Sequence, residues 1–419
     1  MAAELLHIEI IATILAELPV KSLLRFKSVS KTWFNLITSP YFLCYHNQVC
    51  THDEARRRLI FCVYDFIQNP SSRWYGGGYW KILKLCARDM QFKKTTNDFS
   101  IKILSGTKVI FSGFDLVCLA HQKSPTINVL NPSTHDVFVL PSYGEMSRDS
   151  FQYEFFGFAY LASTKEYMVL RFFKINIEGP DRGSLGVEMF KFDGDTNLEC
   201  PSSSSWKMAK TTYPGFFESE HLLRSSEGPF VDRSMHWLLF AVWHVHIDIF
   251  SFDVDNEILH KIFLPMGTNN TTKFLIPPKL VDLDGRLGLL KAEAEAENII
   301  DIATTISVWT LVEKHESLWE KMHTIELNRY RVSYLTRVKF CYMSKGEVLI
   351  SIDECKGEEL LYYNMEKKKL VRVKKEPFRI LQMGFLKEGM FQGQSKGYHH
   401  HEENDSTITM DPFPQYVRK

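Results

Sequence analysis

Apolar residues near the N-terminus recur at helical spacing. Four of them occupy the i, i+3, i+4 and i+7 positions of one helical stripe, namely Ile11, Ile14, Leu15 and Leu18. Pro19 ends this helix, because a proline inside a helix loses a hydrogen bond and clashes with the preceding turn. A second short helix is predicted over 21–29. A third has an apolar face marked by Val29, Trp33 and Leu36, and we expect 38–40, which ends in Pro40, to close it. A unit this short cannot bury all its apolar surface alone, so we expect it to dock on the rest of the chain or on a partner.

Beyond these helices the apolar pattern changes to short strands separated by turn residues. Several segments share an apolar strand followed by Asn or Asp, which favour tight turns because their side chains bond the nearby backbone. These segments begin at Val129, Met189, Ser251 and Leu360. Before several of them comes a further apolar strand, expected to lie nearer the centre of the fold, at 116–120, 236–240, 287–290 and 348–352. Strands paired in this way predict a β-propeller, with a long β-sandwich array as the alternative.

Composition excludes several classes of protein. Lysine plus arginine equals aspartate plus glutamate, 50 against 50, so no global charge attracts nucleic acid or an anionic membrane. The 8 cysteines include no C-x-x-C pair, which argues against a zinc ribbon or disulfide framework and fits a reducing compartment. No apolar run approaches the ~18 residues that span a bilayer, and the N-terminus lacks the basic start of a signal peptide. We therefore expect a soluble protein of the cytoplasm, the nucleus or both.

Candidates for catalysis and metal binding are few. His244, His246 and Asp248 alternate, so on a strand all three would lie on one face, as in the ligand rows of some metallohydrolases. We favour instead the polar face of an ordinary amphipathic strand, because no further ligand or base follows at a telling distance. The three histidines at 399–401 lie in a polar tail with little capacity to form a core. We expect no catalytic residue, no cofactor and no resident metal.

The segment 18–42, LPVKSLLRFKSVSKTWFNLITSPYF, resembles the F-box of plant proteins. The matching positions are Glu9, Ile10, Ile11, Ile14, Leu15, 18–27, Val29, Lys31, Trp33, Leu36, Ile37, Pro40 and Phe42. His7 departs from the family, which has at this position a proline that pre-organises the first helical turn. The resemblance implies docking on a Skp-type adaptor, which links F-box proteins to a cullin scaffold. Four basic residues and no acid lie in 18–42, which suits an acidic partner: Lys21, Arg25, Lys27 and Lys31.

The same resemblance assigns the adaptor-binding residues. They are Leu6, Ile8, Ile11, Leu18, Pro19, Val20, Leu23, Leu24, Val29 and Trp33. Spacing alone leaves an alternative open, in which the lysines are the solvated faces of helices that pack only within this chain.

The rest of the chain resembles the kelch-like domain that follows many plant F-boxes. Its NPST turn matches 131–134, its H-W pair matches His236 and Trp237, and its G-F-G-Y-D element begins at Gly157. The family's N-G turn is replaced by Phe114 and Asp115, and aspartate is expected to take the left-handed turn geometry at more cost than glycine.

Together the two resemblances imply an α+β chain of several parts. We predict a three-helix F-box at 1–46 and a connecting segment with the first strands at 47–110. A mainly antiparallel, kelch-like β-propeller follows at 111–390, and a polar tail, expected to be disordered, ends the chain at 391–419. The polar segments 141–151 and 265–274 are expected to be exposed loops that recognise a target.

The function implied is that of a non-catalytic receptor. The helices would hold the adaptor, and through it a cullin, while the β domain would hold an unidentified target protein for ubiquitination. The first alternative is an interaction scaffold whose F-box works outside the ligase. The second is a propeller metallohydrolase that uses His244, His246 and Asp248.

Overall fold

A computed structural model describes most of the chain with side chains. The described residues are 2–53, 56–66, 80–89, 91–94, 99–104, 106–121, 127–143, 154–176, 183–193, 205–210, 223–241, 247–265, 278–294, 302–327, 330, 332–333, 338–354, 357–391 and 407–409. Most of the predicted tail, the three histidines at 399–401 included, therefore lies outside them.

The N-terminal part of the described chain forms a unit of helices. They are α1 (Ala2–Ala16), α2 (Val20–Phe26), α3 (Lys31–Ile37) and α4 (Pro40–His52). The prediction of three helices is therefore wrong, because Pro40 begins a further helix instead of closing the third. Proline suits that first position, where the missing N–H would have had no partner. None of the described helices combines the length and apolarity needed to cross a membrane.

Serine caps explain where two of these helices begin. The Ser30 side chain accepts a hydrogen bond from the Trp33 amide at 3.1 Å, and the Ser39 side chain accepts one from the Phe42 amide at 3.2 Å. Pro19 lies immediately before α2 in an extended conformation, as the sequence predicts. The Leu-Pro corner and the serine caps thus position α1, α2, α3 and α4 around one small core.

The described strands form six sheets. The first contains β25 (Gln382–Lys387), β1 (Arg57–Phe66), β2 (Trp80–Arg88), β3 (Phe99–Leu104) and β26 (Thr407–Thr409). The second contains β4 (Lys108–Phe111), β5 (Val117–Ala120), β6 (Ile127–Leu130) and β7 (Val137–Val139). The third contains β8 (Phe155–Leu161), β9 (Glu166–Asn176), β10 (Gly183–Phe192) and β11 (Lys207–Met208).

The remaining sheets repeat this four-strand arrangement. The fourth contains β12 (Leu223–Val231), β13 (Ser234–Ala241), β14 (Ile247–Asp253) and β15 (Ile258–Ile262). The fifth contains β16 (Lys279–Asp282), β17 (Leu287–Ala294), β18 (Ile302–Glu313) and β19 (Leu318–Glu326), with β20 (Val332–Ser333) paired to β18. The sixth contains β21 (Val338–Ser344), β22 (Glu347–Glu354), β23 (Gly357–Asn364) and β24 (Lys369–Glu376).

The six sheets are the blades of a closed β-propeller. One edge strand of each blade contacts the edge strand of the next blade, in the order β4, β8, β12, β16, β21, β25 and back to β4. Pairing within the blades is antiparallel, except that β26 runs parallel to β3. The predicted propeller is confirmed, and the β-sandwich alternative is wrong.

The segments predicted to lie nearest the axis are the second strands of their blades. They correspond to β5, β13, β17 and β22. The true innermost strands β4 and β16 are short, and each mixes buried with half-exposed or exposed positions. An apolar run therefore marks the second strand, which is covered on both faces, more clearly than the first.

Closure of the ring joins the two ends of the β domain. Strand β25, from the C-terminal part, pairs with β1, which directly follows the helices. In this register Gly384 lies opposite Ile60, and a Cβ on Gly384 would meet the Phe111 ring at 2.5 Å. The first blade thus holds the start and the end of the domain together.

A recurring turn connects the third and fourth strands of several blades. An Asn or Asp side chain accepts a backbone N–H two or three residues on, at 2.8 to 2.9 Å, in the turns that begin at Asn131, Asp253 and Asn364. The fifth residue of each turn has a left-handed φ: His135 (66°), Glu257 (56°) and Lys368 (48°). The predicted role of the Asn and Asp turn residues is confirmed at these positions.

Candidate functional site

The helical unit has a core of small and branched apolar side chains. On α1 the buried positions are Ala12, Leu15 and Ala16, which follow the i, i+3, i+4 pattern. Ile14, which the sequence places on the buried stripe, is instead 60% exposed. Leu15 is buried as predicted, and Ile11 and Leu18 are partly buried against the same core, so the buried stripe loses only Ile14 and gains the two alanines.

A second group of apolar side chains on these helices lies in solvent. The exposed apolar set comprises Ile10, Ile14, Val29, Phe34 and Tyr41, whose exposed fractions range from 49% to 70%. Exposed apolar side chains concentrated on one small unit are typical of an interaction surface. The sequence assigned only Val29 of this set to adaptor binding, because apolar spacing alone does not separate a core position from an exposed one.

The predicted adaptor-binding residues differ in burial. Val20 and Leu23 are buried in the helical core, whereas Ile11, Leu18, Leu24 and Trp33 are partly buried against it. Ile8, Pro19 and Val29 are exposed, and the side chain of Leu6 lies outside the described residues. The exposed members are accessible to a partner, whereas Val20 and Leu23 are not. The assignment as a whole stays a prediction.

The four basic residues of this segment do not all face solvent. Lys21, Arg25 and Lys31 are exposed, but Lys27 is half-buried. Burial lowers the pKa of the Lys27 ammonium, and the nearby Asp136 carboxylate opposes that shift. Lys27 therefore serves the contact between helices and propeller, which leaves three basic side chains for an acidic partner.

Arg56 ties the helical unit to the start of the propeller. Its guanidinium donates hydrogen bonds to the carbonyl oxygens of Ala16 at 3.1 Å and Leu18 at 3.4 Å, which end α1. The same side chain donates to His46 Nε2 at 3.1 Å and to Cys50 Sγ at 3.0 Å, both on α4. Burial lowers the pKa of His46 to about 4, so the ring stays neutral and can accept. Nothing in the sequence pattern singled out Arg56.

The segment after β25 completes this junction. The Asn47 side chain on α4 donates to the Met390 carbonyl at 3.2 Å and accepts from the Met390 amide at 2.9 Å. The Met390 side chain packs in the helical core. Asn131, from the predicted NPST turn, donates to the Gly389 carbonyl at 3.0 Å. The helices are therefore bound to the part of the chain that closes the ring.

Asp115 is a buried carboxyl group in the junction between the helices and the propeller. Tyr167 donates a hydrogen bond to Asp115 Oδ1, whereas Oδ2 has no partner among the described residues. Burial raises the pKa of Asp115 to about 7, and the Tyr167 hydrogen bond opposes this shift. The expected left-handed turn at Asp115 is wrong, because Gly113 takes that conformation, with φ of 79°.

The helical unit lies at one end of the propeller. We number the strands of each blade outward from the propeller axis. Because neighbouring strands are antiparallel, the connections between first and second strands and between third and fourth strands lie at the same end as the helices. Lys165, in the β8–β9 connection, donates to Cys44 Sγ on α4 at 3.5 Å. The other connections begin and end at the opposite end, where the described residues Pro141, Tyr143 and Pro265 of the two predicted loops lie. Residues 144–153 and 266–277 are outside the described part of the chain, so the loop prediction stays untested.

Arg171 holds the described ends of one of these connections. Its guanidinium lies 3.9 Å from the centre of the Tyr143 ring and forms an ion pair with Glu154 at 2.5 Å. A second ion pair joins it to Glu188 at 2.7 Å, and Arg171 is fully buried. The Trp206 indole donates to the Pro141 carbonyl at 2.8 Å. The base of the 141–154 connection is thus fixed by buried charges and aromatic contacts.

Of the three residues in the predicted metal row, the structure describes only Asp248. Asp248 forms an ion pair with Lys261 at 3.0 Å, whereas His244 and His246 lie outside the described residues. Within the described ranges no group of three His, Cys, Asp or Glu side chains is arranged to hold a metal ion.

Comparison with known proteins agrees with this division into helices and propeller. The family described as F-box domain matches residues 4–45, and the family described as F-box associated beta propeller domain matches 76–397. F-box protein CPR1 of Arabidopsis thaliana is 24% identical over 392 residues, which cover 88% of this chain and 84% of that protein. F-box protein At5g49610 of the same plant is 24% identical over 330 residues, which cover 76% and 78%.

Solved structures resemble the fold more distantly. TolB from Acinetobacter baumannii aligns with a TM-score of 0.41 at 10% identity, over 83% of this chain and 72% of that one, which is too remote to support an argument. The propeller family, by contrast, matches well over half of the chain and names the architecture observed. The chain therefore belongs to the plant F-box proteins that carry a C-terminal F-box associated β-propeller domain.

Proposed function

We propose that this protein is the substrate-recognition subunit of an SCF-type cullin ubiquitin ligase, active in the cytoplasm, the nucleus or both. The exposed apolar set on the F-box helices carries the proposal. Apolar side chains of this size remain in water at a cost unless a partner covers them. The three exposed basic residues of the same unit would steer an acidic Skp-type adaptor toward it.

The division into two modules supports a receptor. In such a ligase the catalysis is proximity, because an activated ubiquitin held near a target lysine reacts at a high effective concentration. The receptor needs no nucleophile, but it must hold its two partners in a fixed relation. Arg56, Asn47 and Met390 provide that fixed relation between the helices and the propeller.

A reducing compartment is supported by the cysteines. No disulfide bond joins the cysteines that the structure describes, which are Cys44, Cys50, Cys62, Cys86, Cys118 and Cys341. A metallohydrolase function is disfavoured by the ion pair between Asp248 and Lys261. An interaction scaffold whose F-box works outside the ligase would also bind the adaptor, but it would not recruit the cullin.

Adaptor binding by purified protein tests the proposal. A variant with Ile14→Asp and Phe34→Asp should lose affinity for a purified Skp-type adaptor by about 30-fold or more, as removal of interface anchors does. Both positions are exposed, so the fold should be retained. Met208→Asp, at an exposed apolar position of the propeller, is the matched control and should bind like the unmodified chain.

Titration calorimetry gives the affinities, and circular dichroism confirms the fold of each variant. Equal affinity of the folded double variant and the unmodified chain would show that the exposed apolar set is not the docking surface. Absence of binding by the unmodified chain would overturn the proposed function itself.

A further inference from the structure

A cleft lies between the fourth and fifth blades, at the same end of the propeller as the helices. It encloses about 360 Å³ and is lined by side chains that include Asp232, Ser234, His236, Arg286, Val312 and Lys314. They belong to the ends of the connections β12–β13, β16–β17 and β18–β19. Ligand pockets in proteins usually measure about 300–1,000 Å³, so the cleft has room for one or two amino-acid residues.

A buried histidine in the cleft has an unused acceptor. His236 is 3% exposed, and its Nε2 lies 3.4 Å from the Val231 carbonyl oxygen. A carbonyl oxygen only accepts, so Nε2 carries the proton and Nδ1 is left with a lone pair. Nδ1 has no partner among the described residues, and burial lowers the pKa of His236 to about 3, which keeps the ring neutral. A ligand with an N–H or O–H group would satisfy this nitrogen.

Lys314 adds a cation beside this acceptor. Its Nζ donates to the buried Ser234 hydroxyl at 3.1 Å. Burial lowers the pKa of the Lys314 ammonium, and the carboxylates of Asp253 and Asp232 oppose that shift. The Asp253 carboxylate acts on Lys314 through space, while its Oδ1 accepts from the amides of Asp255 and Asn256 in its own turn. The half-buried ammonium would therefore be stabilised by a further anion.

The side chains that line the cleft carry more positive than negative charge, which favours an acidic ligand. Arg286 is exposed at the rim, so two basic side chains face the single carboxylate of Asp232 among the lining residues. Val312, 55% exposed, offers apolar contact at the same rim. A side-chain carboxylate next to a backbone N–H matches both the cations and the histidine acceptor. These two groups occur together in any peptide segment that contains Asp or Glu.

We propose that the cleft between the fourth and fifth blades receives an acidic segment of the target protein. The carboxylate would lie on Lys314 and Arg286, and a backbone N–H of the segment would donate to His236 Nδ1. This proposal rests on the proposed receptor function and names the chemistry of its target.

Peptide binding by the full chain in complex with its adaptor tests the cleft. The probe is an array of immobilised octapeptides that contain Asp or Glu, each paired with its Asn or Gln counterpart. The complex should prefer the acidic member of each pair by about tenfold or more, as expected for a charge-assisted hydrogen bond. Lys314→Met should abolish that preference and Lys314→Arg should retain it. Lys207→Met, at an exposed lysine of β11, is the matched control and should change nothing.

His236→Phe tests the acceptor separately and should weaken acidic and amide peptides alike, because both donate the same backbone N–H. Equal binding of acidic and amide peptides by the unmodified complex would overturn the proposal, as would an unchanged preference in Lys314→Met. Adaptor affinity, measured on the same samples, distinguishes a failure of the receptor function from a failure of the cleft assignment. If the adaptor binds but the cleft variants behave like the unmodified chain, the receptor function stands and the cleft assignment fails.

Discussion

Asp115 is a buried acid at the junction between helices and propeller, and its ionisation has a definite sign. The folded-state pKa is raised to about 7 from an ordinary value of 3.8. Between these pH values the folded protein holds a proton that the unfolded chain has lost. Asp115 therefore contributes stability that is fully present below pH 3.8 and is lost as the pH rises to about 7.

We predict that Asp115→Asn removes this pH dependence. The asparagine Oδ1 can still accept from Tyr167, and the amide does not ionise. The free energy of unfolding of the variant, relative to that of the unmodified chain, should rise by up to about 1.4 kcal/mol for each pH unit between 4 and 7. Urea unfolding at several pH values measures the difference. A difference that stays constant across this range would contradict the account of Asp115.

The sequence identifies the residues of the site that depend on local chemistry, but not those that depend on packing or on distant contacts. The Leu-Pro corner and the turn residue Asn131 depend on local backbone chemistry, which a sequence shows directly. Ile14 and Leu15 are both apolar, and only the packing of α1 decides which of them is buried. Arg56 and Asp115 act through contacts with residues distant along the chain, and no local pattern marks them.

Helices and strands, like single residues, were predicted where the local sequence defines them and missed where it does not. The corner at Pro19 and the amphipathic pattern after it predict α2 and α3 within a few residues. The fourth helix was missed because proline ends one helix and begins another with equal ease. The innermost strands were missed because a short strand such as β4, with only two buried positions, carries too little pattern to be recognised.

Arg56 is the main link between α1, α4 and β1, so we predict that Arg56→Met loosens the helical unit. The variant removes the donor to the buried Ala16 carbonyl oxygen and to Cys50 Sγ, whereas the Leu18 carbonyl oxygen can still accept from His46 Nε2, 3.2 Å away. Each buried polar group left without a partner costs about 1–3 kcal/mol. Hydrogen–deuterium exchange should therefore accelerate across α1 and α4, while the strands of the fourth and fifth blades stay protected.

Arg25→Met, on an exposed position of α2, is the matched control and should leave this exchange unchanged. Adaptor affinity should fall with Arg56→Met, because the docking side chains depend on the arrangement of the helices. Unchanged exchange in α1 would show that Arg56 does not hold the unit together.

For the whole molecule, closure of the ring through β25 is the central structural feature. We predict that Gly384→Ala destabilises the entire propeller, because the added Cβ would meet the Phe111 ring at 2.5 Å. Overpacking of this kind typically costs about 1–3 kcal/mol. Thermal unfolding of the β domain should shift as one transition, since the innermost strands contact one another around the ring.

A double-mutant cycle with Phe111→Leu identifies the cause. The smaller side chain should relieve the clash, so that Gly384→Ala costs less in that background than in the unmodified chain. Strictly additive effects of the two changes would refute the clash as the source of the destabilisation.

The most direct test of the receptor function is recovery of the whole ligase from cells. Tagged full-length chain, purified with the proteasome inhibited, should bring down the Skp-type adaptor, a cullin and ubiquitinated partners together. The Ile14→Asp and Phe34→Asp variant should lose the adaptor and the cullin, and its partners should carry far less ubiquitin. Recovery of the adaptor without cullin, or equal ubiquitination of the partners with the variant, would contradict the proposed function.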